Sequence, residues 1–343
     1  MKLQNSVLMK LTMLFASLLI TRCSNNSTGV STSPPNFTPS MANTPIPATI
    51  TAISPMIGKI TFVHGSGNIS DNDIYVMDVD GTGLKNLTTN TLYNGQPAWS
   101  PDAKYIVFSS IAFTSPTDGK YQIYTMKADG SDLKQLTFDK AYSSYLPAWS
   151  PDGKYIIFLS TRDDMLDNQG DPIQEAYIMN SDGSEQRRLT NSQVAVGGLS
   201  WYPNGNLISV SVAATRYTLK TYLVDINGTI QKQNPGFIVA GIPIWSPNGK
   251  LVLFDLSVSP TDCSGIVVMN ADNSNQICLI IDKIFPPVHV GGASWSPDGK
   301  YIIFSSNLDG DSDIYVVKPD GSDLTQLTNM AGDESEPVWS SGP

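Results

Sequence analysis

Every tryptophan of this chain stands at one place in a recurring phrase: Trp99, Trp149, Trp201, Trp245, Trp295 and Trp339, spaced 50, 52, 44, 50 and 44 residues apart. A period in the forties to fifties confines a chain to architectures that stack one supersecondary unit on the next. Around three of the tryptophans the phrase is nearly verbatim: "PAWSPDAKYIVF" from Pro97, "PAWSPDGKYIIF" from Pro147 and "ASWSPDGKYIIF" from Ala293.

The unit from Pro147 contains four strand-like runs. "PAWS" is followed by a "PDGK" turn and "YIIFLS"; after a variable loop come "AYIMN", an "SDGS" turn and "QRRLT". Asp-Gly between apolar runs marks a hairpin, because glycine accepts the positive φ of a tight turn. Alternating side chains give each strand two faces, both buried when similar units stack. Four strands per unit and six units predict an all-β fold, a six-bladed β-propeller of four-stranded antiparallel blades.

The ends predict how the ring closes. The unit from Lys59 ("KITFVH", "DIYVMD", "GLKNLT") has three runs, whereas "EPVWSSGP" at the other end is a first strand with nothing after it. Each supplies what the other lacks, so Glu336 to Ser340 is expected to complete blade one and leave no open sheet edge.

Ahead of the repeats, residues 1–23 read as an export signal: Lys2 and Lys10 are followed by "LTMLFASLLI", an apolar run too short to span a bilayer comfortably. Residues 24–55 are rich in Ser, Thr, Asn and Pro and read as a disordered tether, leaving 56–343 for the propeller. The net charge of −10 would repel phosphate backbones, and no basic cluster interleaved with aromatics is present, so nucleic acid is not an expected partner. In an oxidising compartment Cys263 and Cys278 are close enough in sequence to bridge a short loop, although the strand pattern sets them out of register.

Two resemblances follow. The phrase "WSPDGKYIIF", with "DIYVVKPDGSDLTQLT" after it, resembles the TolB-type β-propeller repeat over roughly Met56 to Trp339. The units from Lys59, Pro97, Pro147 and Ser294 match it well, and those around Trp201 and Trp245 are degenerate. TolB proteins carry an N-terminal α/β domain ahead of their propeller, so the expectation is a stand-alone ring. The resemblance also implies protein partners. Cys23, directly after the signal, resembles the lipidated cysteine of a bacterial lipoprotein, with Arg22 where that family has a small residue. An exported, membrane-anchored monomer in the periplasm or outside the cell is expected, touching the membrane only through this anchor.

Strand alternation puts the short "PDGK" and "DGSD" turns on one face of the disc. The opposite face carries long, dissimilar loops such as "HGSGNISDN", "TRDDMLDNQGDPIQE" and "KIFPPVHVGG". Varied loops on a rigid scaffold are the usual place for recognition. The candidate binding face therefore comprises His64, Asp71, Arg162, Asp163, Asp164, His289, Asp309, Asp311 and Asp313. The six tryptophans are assigned to packing between blades, and Asp102, Asp152 and Asp298 to turns, since Asn204 and Asn248 replace them elsewhere. No G-x-S-x-G, H-E-x-x-H, P-loop or G-x-G-x-x-G signature occurs. No catalytic residue, cofactor or metal is assigned. The leading reading is a non-enzymatic binding module at the cell envelope, recognising a protein, peptide or glycan. The alternative is a metal-dependent polysaccharide lyase using His64 and His289, by resemblance to oligogalacturonate lyases built on a related propeller.

Overall fold

The computed structural model describes residues 57–66, 71–89, 93–111, 119–166, 170, 172–192, 194–215, 218–233, 241–256, 265–281 and 290–342. The signal, the tether, Cys23, Cys263 and His289 lie outside these residues. Among the described residues the chain forms six sheets of four antiparallel strands and no helix, a six-bladed β-propeller. Five blades are simple meanders; blade two, for example, runs Tyr93–Trp99, Tyr105–Ile111, Tyr121–Lys127 and Lys134–Gln135.

Blade one is composite. Strands Lys59–Gly65, Asp73–Asp78 and Lys85–Asn86 are joined by Asp333–Trp339, which lies on the inner side of Lys59–Gly65. The register sets Trp339 opposite Ile60, Val338 opposite Thr61 and Glu334 opposite His64. Beyond the last strand residue, Ser340 N donates to Lys59 O (2.8 Å) and Lys59 N to Ser340 Oγ (2.8 Å), extending the seam. The closing strand is longer at its start than Glu336 to Ser340, which brings Asp333 and Glu334 into the sheet.

The core is divided into six clusters, one between each pair of neighbouring blades. The cluster that closes the ring joins Ile60, Phe62, Met77 and Trp339 of blade one to Ile303, Ile314, Val316 and Leu327 of blade six. The next joins Ile74, Val76 and Leu87 to Trp99, Ile106, Phe108 and Met126 of blade two. Trp99, Trp201, Trp245, Trp295 and Trp339 are all buried, and Trp149 packs against the cluster between blades two and three. Several indoles also donate to the blade before: Trp201 Nε1 to Ala148 O (3.2 Å), Trp245 Nε1 to Ser209 Oγ (2.7 Å) and Trp295 Nε1 to Ile244 O (2.9 Å). The tryptophans are thus wedges between blades, satisfied at their polar end where a partner is in reach.

The turn face uses its carboxylates for itself. Ser100 Oγ donates to Asp102 Oδ1 (2.7 Å) while accepting from Tyr105 N (2.9 Å), and the same pattern recurs at Ser150 with Asp152 and at Ser296 with Asp298. The Ser100 and Ser150 hydroxyls hold the carboxyls of Asp102 and Asp152 below their ordinary value. Asn248 receives the same bond from Ser246 Oγ (3.0 Å), as it can, because the turn needs an acceptor and not a charge.

Two departures from the sequence expectation shape the rest of the molecule. The outer strands of blades one, two, three and six are only two residues long, not five. Their "LT" ends leave the ladder: Leu87 N and Leu327 N still donate to Ile74 O (2.8 Å) and Ile314 O (2.7 Å), but Thr88 Oγ1 and Thr328 Oγ1 take over as acceptors for Ile74 N and Ile314 N, each at 2.8 Å. A side-chain hydroxyl here does the work of a strand carbonyl. The inner strands, conversely, begin well before "PAWS", at Tyr93 and Ser144. They do so through a bulge, with Gln96, Leu146 and Glu336 at φ of 56°, 53° and 52°, each three residues before its tryptophan.

Candidate functional site

Because the inner strands of neighbouring blades lie side by side, their bulges and upstream residues surround the central channel. The connections between second and third strands open on the face opposite the short turns. Two groups of side chains meet there, one on the rim between blades six and one and one at the mouth of the channel.

On the rim, Glu334 is buried and linked to both blades. Its Oε1 lies 2.7 Å from His64 Nδ1, its backbone N donates to Ser312 O (2.6 Å), and the carboxyl of buried Asp313 in blade six is an electrostatic neighbour. Burial first, and then its neighbours Glu334 and Asp309, push Asp313 well above the ordinary carboxyl range, and burial does the same for Glu334. Burial also holds His64 below its ordinary value, against the pull of Asp71, Asp333 and Asp73. Asp313 accepts in addition from Thr328 Oγ1 (3.2 Å) and Gln326 Nε2 (3.1 Å), and Asp309 from Tyr315 Oη (2.9 Å) and Gln326 Nε2 (2.7 Å). Carboxylate oxygens of Asp309, Asp311 and Asp313 all lie within 4.8 Å of one another, with Asp309 and Asp311 exposed. Asp71 caps its own loop by accepting from Ser66.

Blade three holds the other expected residues, apart from this rim. Arg162 lies 4.6 Å over the Tyr177 ring and 5.2 Å over Phe158, and it donates to Ser160 Oγ (3.0 Å), Gln186 Oε1 (2.9 Å) and Ser144 Oγ (3.1 Å). Its guanidinium is committed to the blade, not presented to a ligand. Asp163 sits 3.4 Å from Arg188, which also grips buried Glu175 at 2.9 Å; Asp164 is exposed. Cys278, in the last strand of blade five, is disulfide-bonded, with its partner outside the described residues.

The channel group was not legible as a motif. Glu336 Oε2 accepts from Gln96 N, and Gln96 Oε1 in turn accepts from Leu146 N (2.8 Å) and Ser109 Oγ (2.8 Å), tying three inner strands together. Asp255 Oδ2 accepts from Gly292 N (3.0 Å). Gly292, at φ 61°, lies so close to Glu336 that a Cβ there would come within 2.9 Å of its backbone. Burial pushes Glu336 above the ordinary carboxyl range and Asp255 up to about 6. Tyr93, Tyr121 and Tyr145 continue the arc, with ring centroids 5.8 Å and 6.1 Å apart along the row. Burial, then the nearby Glu336, raises the Tyr93 phenol far above its usual value. The available signal was alignment of the inner strands on their tryptophans: "DESEPVW" carries three acids where "YNGQPAW" carries none.

A closed ring of six four-stranded blades with chemically varied groups on one face defines the class: a β-propeller whose face is equipped for contact. Residues 40–237 and 165–342 match the TolB beta propeller domain, and the chain belongs to that family. An uncharacterised protein of Agrobacterium fabrum (strain C58 / ATCC 33970) is 31% identical over 137 residues, 39% of this chain and 45% of that protein. The Tol-Pal system protein TolB of Syntrophus aciditrophicus is 53% identical over 36 residues, 10% of this chain and 8% of that one. The crystal structure of TolB from Acinetobacter baumannii superposes with a TM-score of 0.64 at 21% identity, over 82% of this chain and 66% of that chain. The chain therefore spans less than half the length of these two curated relatives, and its likeness to the solved structure is one of fold.

Proposed function

We propose that this protein is a non-enzymatic binding module of the bacterial cell envelope, which engages a protein, peptide or glycan through the face bearing the second-to-third strand connections. The observation that carries this reading is the contrast between the two faces. Asp102 and Asp152 on the turn face are consumed by their own turns, whereas Asp309, Asp311, Asp255 and Glu336 keep acceptor capacity on the other side. A TolB-type propeller supports a binding or scaffold role, and protein is the partner class favoured by that likeness. For the lyase alternative, His289 lies outside the described residues and His64 is engaged with Glu334, so no observation favours it.

Capture of a partner from envelope extract by the soluble ring, residues 56–343, should be lost when the loops after Gly65, Thr161 and Asn307 are shortened. Equal capture by the shortened ring would contradict the reading. The envelope location rests on the signal and on Cys23. Cys23→Ala is expected to move the protein from the membrane to the soluble fraction on cell fractionation, and an unchanged distribution would end the lipoprotein assignment.

A further inference from the structure

Blade six enters its third strand from a run of alternating acids, Asp309, Asp311 and Asp313, in "LDGDSD". Their carboxylate oxygens lie within 4.8 Å of one another, and among the described residues no Lys or Arg pairs with any of the three. Oxygens on opposite sides of one calcium ion stand about 4.6–5.2 Å apart, so a single ion can touch all three. An acidic run alone would be no more than a solvated loop.

A second feature, inside the fold, points to a ligand. Glu334 is fully buried; its Oε1 is engaged with His64, but its Oε2 has no hydrogen-bond partner. Ser312 accepts from Glu334 N at 2.6 Å and donates from Oγ to Glu334 O at 3.0 Å, which seats the glutamate beside Asp311 and Asp313, both of them its electrostatic neighbours. Buried Ser306 pairs with Asp313 across the ladder and shares its sheet face, and its Oγ is unpartnered as well. Buried oxygens left unmet beside three carboxylates are costly unless a cation meets them.

The donor set selects the ion. It offers only oxygens, with His64 already held by Glu334, which suits a hard cation and not zinc. Opposite oxygens around magnesium must close to about 4.2 Å in a near-ideal octahedron, whereas calcium accepts the wider, irregular spacing of a loop and two strand ends. Asp309, Asp311 and Asp313 repeat the first, third and fifth ligand positions of an EF-hand loop, but Ile314 stands where that loop turns on glycine. The chain runs on into a strand, so the remaining carboxylate comes from the closing strand of the neighbouring blade.

We propose that Asp309, Asp311, Asp313 and the unpartnered oxygen of Glu334 form a calcium site on the rim between blades six and one. The ion enters from solvent past exposed Asp309 and Asp311 and ties the closing strand to the third strand of blade six. The site stands independently of the binding reading above and adds a second lock to the closure of the ring.

Calcium chloride is the probe, titrated calorimetrically into chelator-stripped protein, residues 24–343, with magnesium chloride as the comparison. Calcium should bind with a dissociation constant at or below about 100 μM, at least about tenfold tighter than magnesium, and about 1 mM calcium should raise the melting temperature by at least about 3 °C. Asp311→Asn changes an exposed loop residue and should weaken calcium at least about tenfold while the stripped protein melts within about 1 °C of wild type. Glu334→Gln keeps an oxygen for His64 and should weaken calcium as much. Asp132→Asn removes one charge from the turn face, at a positive φ that asparagine accepts, and should change affinity less than about twofold. Should Glu334→Gln not fold, Asp311→Asn alone carries the test. Calcium binding weaker than about 100 μM, or no tighter than magnesium, or unchanged in Asp311→Asn, would overturn the site and leave the acids as a solvated loop. Equal weakening by Asp132→Asn would overturn it in favour of overall charge.

Discussion

Removing residues 333–343 is expected to lower the melting temperature of the propeller by at least about 10 °C and to make it aggregate on heating. The deletion takes the inner strand from blade one and exposes the ladder of Lys59–Gly65. It also withdraws Trp339 from the cluster shared with Ile60, Phe62, Met77 and Ile303. A buried tryptophan alone is worth about 3–5 kcal/mol, and each kcal/mol corresponds to about 2–4 °C in a domain of this size. A thermal scan in which the truncated chain melts within about 2 °C of the full one would contradict the closure.

The second large effect concerns pH. Burial raises Asp313 to about 8 and Glu334 to about 7 in the folded ring, whereas the unfolded chain releases both protons near pH 4. Groups whose folded values are raised give stability that is complete below the unfolded value and is lost as pH rises through the folded values. Stability should therefore fall from about pH 4 to about pH 8 and level off above it, by at least about 2 kcal/mol, read as a drop in melting temperature of at least about 4 °C. Other shifts fall inside this range, so the pair is isolated by comparison with a variant. His64 is lowered, so its contribution has the opposite sign and is lost below its ordinary value near 6.5. Asp255, raised to about 6, adds a fall of the same sign between about pH 4 and 6, and the lowered turn carboxyls of Asp102 and Asp152 act in the acid range. In Glu334→Gln the amide can accept from His64 and donate to Asp313 without any proton exchange, so the slope should flatten. A variant that keeps the wild-type slope would show that this pair is not its source.

The ring was legible because tryptophan is rare and its role repeats. Six wedges at one position count the blades, and a three-strand unit at one end with a lone strand at the other identifies the closure. The working residues were less legible for a local reason. "GQPAW" and "YLPAW" read as strands starting at Pro97 and Pro147, since Gly and Pro ordinarily break a run. The bulge at Gln96 and Leu146 carries the strand through, and the upstream residues Tyr93, Tyr145, Glu334 and Glu336 become inner-strand residues at the rim and channel. Arg162 shows the converse case. In the sequence it is a charge on a long loop; in the fold it is stacked on Tyr177 and donates three hydrogen bonds within its own blade. Which loop charges are free depends on cross-blade partners that no local pattern encodes.

Hydrogen exchange of the last strand tests the central claim, that the two ends of the chain are woven into one sheet, most directly. The amides of Asp333–Trp339 that pair with Lys59–Gly65 should exchange as slowly as those of Ile302–Ser306 in the interior of blade six, and should slow together with the amides of Lys59–Gly65. Exchange of this segment within seconds at neutral pH, while blade six stays protected, would mean that the ring is not closed by its own terminus.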